Sequence, residues 1–168
     1  MADYFTQFSI GIEATPDEAR AVLRVFNYIE DPENSPEPPT ALLALIQNED
    51  PCSVPDILYQ DGILYITDDA GNGEPWFLAK VLALAMPTAA IDIHYANTCS
   101  KARLDAFNGG TWHVRSGEVF NTEDLLREIM NILQDARVDD DVDCSTTAGG
   151  YLLGDVMNEA FEKASSVL

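Results

Sequence analysis

The residues with the widest chemical capacity gather in one stretch, Ala89 to Ser116, which reads AAIDIHYANTCSKARLDAFNGGTWHVRS. It holds both histidines, His94 and His113, one of the three cysteines, Cys99, and Lys101, Arg103 and Arg115 from a total of nine basic residues. Three chemistries are open to such a set. Lys101, Arg103 and Arg115 could receive a small anion or a carboxylate through charge-assisted hydrogen bonds. Cys99 beside a histidine could form a thiol nucleophile with its base. His94, His113, Asp92 and Cys99 could gather a zinc ion. The plain alternatives are cations that neutralise neighbouring carboxylates, a free loop thiol and an outward-facing pair of histidines. No third group stands out to orient a catalytic base, so no catalytic residue, metal ligand or cofactor is assigned. The anion or ligand site of His94, Cys99, Lys101, Arg103, His113 and Arg115 is kept as the second functional reading.

Outside this stretch the chain is acidic. It has 29 Asp and Glu residues against 9 Lys and Arg, a formal net charge of -20 over 168 residues. A phosphate backbone or an anionic membrane would repel such a chain, so neither is an expected partner. A basic protein surface is. Asp17, Glu18, Glu33, Glu37, Asp68, Asp69, Asp139, Asp140, Asp141 and Asp143 are the candidate contact residues, because they come in pairs and runs within polar loops or a helix start. The run Asp68-Asp69-Ala70-Gly71-Asn72-Gly73 has the look of a calcium loop. Its third position is Ala70 and its twelfth Ala79, so it lacks the ligands that an EF-hand needs. There is no P-loop, dinucleotide fingerprint or serine-nucleophile elbow. Gly109-Gly110 lacks the following helix of a phosphate cradle and suits a bulged start to a strand.

The elements that must position these residues follow from periodicity. Tyr4 to Glu13 reads as a strand. Thr15-Pro16-Asp17-Glu18 is a capping box with proline at the first helical position, and it starts a helix that stops before Asp31-Pro32. Between the proline-rich loops, Thr40 to Gln47 forms a short helix, so 31-55 is an insertion. Asp61-Gly62 between two apolar runs marks a two-residue hairpin, with Ile57, Tyr59, Leu64 and Ile66 on one face. Trp76 to Met86 is a helix apolar nearly all round, buried either inside the monomer or in a homodimer. Ile91, Ile93 and Tyr95 alternate with polar neighbours, as do Trp112 and Val114. Symmetric closure pairs Ala96 with Thr111, which sets Tyr95 opposite Trp112, Ile93 opposite Val114, His94 opposite His113 and Asp92 opposite Arg115. Asn121 or Thr122 caps a helix with Leu125, Leu126, Ile129, Met130 and Leu133 as its stripe, and residues 144-168 add a last helix.

These elements predict one α+β domain over 1-168, an antiparallel sheet of four or five strands with helices packed on one face, its core ferredoxin-like. Cys52, Cys99 and Cys144 are odd in number and widely spaced, which fits reduced thiols and a cytoplasmic location. No leader segment and no membrane span is expected.

Two stretches carry a resemblance: Tyr4-Phe5-Thr6-Gln7-Phe8-Ser9, and Asn97-Thr98-Cys99-Ser100-Lys101 followed by Leu104-Asp105-Ala106-Phe107 and Gly109-Gly110. They resemble a family of small acidic proteins from phages and other mobile elements, without an assigned activity. The resemblance spans Tyr4 to Trp112, with the 31-55 insertion and the C-terminal helix outside it, and carries no functional residue across. It implies an inhibitor of a host nucleic-acid-binding defence protein, of the anti-CRISPR or anti-restriction kind, that imitates the charge of DNA. The resulting expectation is a non-enzymatic interaction protein.

Overall fold

The computed structural model describes residues 4–100 and 108–138. The chain divides into two compact units, 1–120 and 121–168. The described elements, in order, are β1 (Tyr4–Glu13), α1 (Pro16–Glu30), α2 (Thr40–Glu49), β2 (Asp56–Gln60), β3 (Ile63–Asp68), α3 (Pro75–Ala85), β4 (Ala90–Cys99), β5 (Asn108–Arg115), β6 (Glu118–Asn121) and α4 (Thr122–Val138). The class is α+β, as expected. The sheet has six strands in the order β2-β3-β1-β4-β5-β6, rather than four or five. The strand that sequence patterning passed over is β6, four residues long and joined to β5 through Ser116 and Gly117. Those two residues have φ of 51° and 81°, the positive values of a tight primed turn.

Local chemistry accounts for the first elements. The Glu18 amide donates to Thr15 Oγ1 at 3.3 Å and the Thr15 amide donates back to Glu18 Oε2 at 2.8 Å, so the capping box forms. Ala19, Val22, Val25 and Phe26 of α1 then face the core. Asp61 and Gly62 take φ of 54° and 83°, and the turn sets Tyr59 opposite Leu64 and Ile57 opposite Ile66. The predicted face is the one found.

α3 is enclosed on several sides. Phe77, Leu78, Ala79, Val81, Leu82 and Ala83 are buried, and α3 packs on α1, α2 and the sheet. Phe26 of α1 meets the Phe77 ring edge-on at 6.0 Å. α2 seats Leu42 in the core and ties Glu49 to Lys80 of α3 at 2.6 Å. The apolar circumference of α3 is thus covered within the chain, with Leu84 left exposed.

α1, α2 and α3 cover one face of the sheet, where Phe8, Ile12, Leu64, Ile66, Ile91, Ile93 and Val114 are buried. The other face is bare of these three helices. Gln7, Ser9, Gly11 and Glu13 of β1, Leu58 and Gln60 of β2, Tyr65 of β3, and Asp92, His94 and Ala96 of β4 are exposed on it. β2 is an outer strand, bonded to β3 alone among the described residues.

The pairing of β4 with β5 corrects the expected register by two residues. Tyr95 lies opposite Gly110, Ala96 opposite Gly109, Ile93 opposite Trp112, His94 opposite Thr111 and Asp92 opposite His113. The two glycines explain the shift. A Cβ on Gly110 would stand 2.8 Å from Tyr95 Oη, and one on Gly109 would stand 2.4 Å from the Tyr95 carbonyl oxygen. Only glycine lets β4 come this close, so Tyr95 sits against the Gly-Gly step instead of against Trp112. A shift of two keeps each side chain on its expected face while changing its partner.

In the second unit, α4 starts as expected. Asn121 Oδ1 accepts the Asp124 amide at 2.7 Å, and Glu123 and Asp124 stand in the first turn, where the helix dipole favours carboxylates. The predicted helix at 144-168 lies outside the described residues. No helix among the described residues is long and apolar enough to cross a membrane.

Candidate functional site

The corrected register decides what the histidines can do. His94 and His113 do not face each other. His94 Nδ1 is hydrogen-bonded to Thr111 Oγ1 at 2.8 Å. His113 Nδ1 lies 2.7 Å from Asp92 Oδ1, and Arg115 Nη2 donates to that same oxygen at 2.7 Å. Arg115 Nη1 donates to the Ile91 and Val114 carbonyls at 2.9 and 3.0 Å, which fixes the guanidinium along the strand pair. The Phe120 ring of β6 stacks on His113 at 5.4 Å. The result is a cluster in which one imidazole and one guanidinium meet the same carboxylate oxygen.

Electrostatics agree with that geometry. Burial raises the Asp92 carboxyl. Hydrogen bonds from His113 and Arg115, then the charges of Arg115 and His113, outweigh it and hold the group below its ordinary value of 3.8. The carboxylate stays ionised and answered from within the chain.

Cys99 has no place in this cluster. It pairs with Tyr4 of β1, seven residues along β4 from Asp92, on the order of 20 Å at about 3.3 Å per residue. It also has the parity of the covered face, whereas both histidines have the parity of the bare one. The thiol–imidazole pair and the zinc set are therefore both overturned. Among the described residues no three His, Cys, Asp or Glu side chains are grouped to hold a metal ion. Lys101 and Arg103 lie outside the described residues, so of the ligand set His113 and Arg115 come together, with Asp92 as their partner.

The candidate acidic residues separate into several kinds. Asp17 is exposed and ion-paired with Arg20. Glu18 is engaged in the cap of α1. Glu33 and Glu37 are exposed on the loop between α1 and α2, and Asp69 is exposed after β3. Asp68 is buried, 4% exposed, and leaves the surface set. Its Oδ2 accepts from Ser53 Oγ at 2.9 Å and its Oδ1 accepts from the Gly71 amide at 3.1 Å. Asp139, Asp140, Asp141 and Asp143 lie outside the described residues.

The loop after Asp68 is fastened to the sheet. The Thr6 amide donates to the Gly71 carbonyl at 2.8 Å, the Gly73 amide donates to the Thr6 carbonyl at 3.1 Å, and Gln7 Nε2 donates to the Asp69 carbonyl at 2.9 Å. Glu74 was not singled out by its sequence context. Its Oε2 accepts the Cys52 and Ser53 amides at 3.0 and 3.1 Å, so Glu74 and Asp68 together hold the segment that leads into β2.

The bare face of β2, β3 and β1 is different in kind. Leu58 lies opposite Tyr65, and Tyr65 lies opposite Gly11. A Cβ on Gly11 would stand 3.5 Å from the Tyr65 ring and 3.7 Å from Ile63 Cγ2, so the two side chains close over the glycine. Leu58 is 56% and Tyr65 45% exposed. Glu13 pairs with Ile63 and Asp56 pairs with Thr67, which sets an exposed carboxylate toward each end of this apolar strip. An open hollow of about 440 Å³ adjoins Glu13, Thr15, Glu18, Asp61 and Ile63.

No family model, no curated protein and no solved structure matches the chain.

Proposed function

We propose that this chain is a non-enzymatic interaction protein that binds a basic surface of another protein through its exposed carboxylates. One observation carries the reading. Glu33, Glu37, Asp56, Asp61 and Asp69 are exposed and have no cationic partner among the described residues, while of the cations Arg20, Arg24, Lys80, Arg115 and Arg127 all but Arg24 are already engaged by other carboxylates. The surplus negative charge is therefore available to a partner.

A nucleic-acid-binding protein has the basic groove that such a surface fits, and the resemblance to phage and mobile-element proteins favours a host defence protein in the cytoplasm, met by DNA mimicry. The element order β1-α1-β2-β3-α3-β4, with strands side by side as β4-β1-β3-β2, supports a ferredoxin-like core to which α2, β5 and β6 are additions. Self-association through the Trp76 to Met86 helix is the weaker partner proposal, since Leu84 is the exposed large apolar side chain there.

The test is retention of basic nucleic-acid-binding proteins on the immobilised chain at low and high salt. Exposed charges are screened within about 8 Å at physiological ionic strength. Retained proteins should therefore be released as salt rises, and displaced by duplex DNA. Retention that salt leaves unchanged would overturn the reading.

A further inference from the structure

We infer that the bare face of β2, β3 and β1 is where the basic partner docks, and that it takes an arginine side chain laid on the Tyr65 ring. The inference rests on the proposed binding of a basic surface and gives that binding a location.

Three features argue for it. The first is apolar. Leu58, Tyr65 and Ile63 form a continuous strip over Gly11, and Leu58 and Tyr65 are each about half exposed. Contiguous exposed apolar surface with a polar rim marks interaction sites. The second is charge. No Lys, Arg or His occurs in β1, β2 or β3, so nothing on these strands neutralises Glu13 or Asp56. The third is spacing. Along β3, Tyr65 lies two residues from Ile63, which faces Glu13, and two from Thr67, which faces Asp56. Each carboxylate-bearing pair is thus about 7 Å along the strand from the ring.

An arginine matches all three features at once. Its planar guanidinium stacks on an aromatic face, its methylene stem covers apolar surface, and its remaining N–H donors reach toward carboxylates. A lysine supplies the charge without the flat contact. The face therefore distinguishes the two cations, which charge attraction alone does not do.

The probes are two peptides of the same length, one alternating arginine with valine and one alternating lysine with valine. Each is titrated into the full chain while backbone amide shifts are followed by NMR. The expected result is shifts centred on Gly11, Leu58 and Tyr65, with the arginine peptide binding about two- to fivefold more tightly, as an exposed cation–π contact gives. Tyr65→Ala should erase that preference, Tyr65→Phe should keep it, and Leu58→Ser should weaken both peptides. Glu33→Gln with Glu37→Gln should leave the preference unchanged. Equal affinity for the two peptides, with shifts at Glu33 and Glu37 instead, would overturn this location and leave the basic-partner reading standing. Absence of binding by either peptide would overturn both. Concentration-dependent self-association lost in Tyr65→Ala would show that a second copy covers the face, which also overturns the inference.

Discussion

The two halves of the bare sheet face treat their carboxylates in opposite ways. On β4 and β5, Asp92 is met by His113 and Arg115 at 2.7 Å each, and its charge is used up inside the chain. On β2, β3 and β1 there is no basic side chain, and Glu13 and Asp56 remain exposed beside Leu58 and Tyr65. The same sheet thus carries a finished polar cluster on one side and an unanswered acidic and apolar surface on the other. A net charge of -20 describes neither half. What matters for recognition is where a carboxylate lacks a cation, and that is a local property.

The largest effects should fall where the halves do not differ. Ile93 beneath β4 and Leu64 beneath β3 are both fully buried in one core. Ile93→Ala and Leu64→Ala should each cost about 2–5 kcal/mol, read from urea unfolding. A loss confined to one of them would show that the halves have separate cores.

Next comes the polar cluster itself. Asp92→Ala removes two charge-assisted hydrogen bonds and leaves Arg115, only 21% exposed at its side chain, without its carboxylate. The expected loss is about 1–2 kcal/mol, with the 42% exposure of Asp92 keeping it at the low end of such values. Asp56→Ala should lie within about 0.5 kcal/mol of the parent. Equal effects at the two positions would erase the distinction between the halves.

Acid should act on the same group. The folded-state value of Asp92 is below the ordinary 3.8, so its contribution is fully present above that pH and is lost as pH falls through the lowered value. The gap between parent and Asp92→Ala should therefore be open above the ordinary value and should close as pH falls below 3.8. A gap that stays open in stronger acid would contradict the assignment. The smallest effect belongs to the other half: Glu13→Gln with Asp56→Asn should stabilise by a few tenths of a kcal/mol at low salt, by relieving like-charge repulsion, and by nothing measurable at 1 M salt.

How much of this was legible beforehand depended on range. The capping box at Thr15 and the turn at Asp61-Gly62 were readable because each is specified within four residues, and both are found as read. The β4–β5 register was not. Its strands end at Cys99 and begin at Asn108, too far apart in sequence for a two-residue turn signal to set the pairing. The deciding signal was steric, the Gly109-Gly110 step that admits Tyr95. β6 escaped because four residues are too few for alternation to show, although Ser116-Gly117 is a hairpin dipeptide. The burial of Asp68 was hidden for another reason. Its partner Ser53 is fifteen residues earlier, and nothing in an acidic run separates the one carboxylate that turns inward from its neighbour that does not.

The outermost strand, β2, ends the sheet with a row of backbone N–H and C=O groups that, among the described residues, are bonded on one side only. Such a border invites an identical border from another molecule. At neutral pH two approaching copies bring Asp56 and Asp61 toward each other and are pushed apart. Near the isoelectric point of about 4.1 that push vanishes, and edge-to-edge pairing of two copies becomes the path of least resistance.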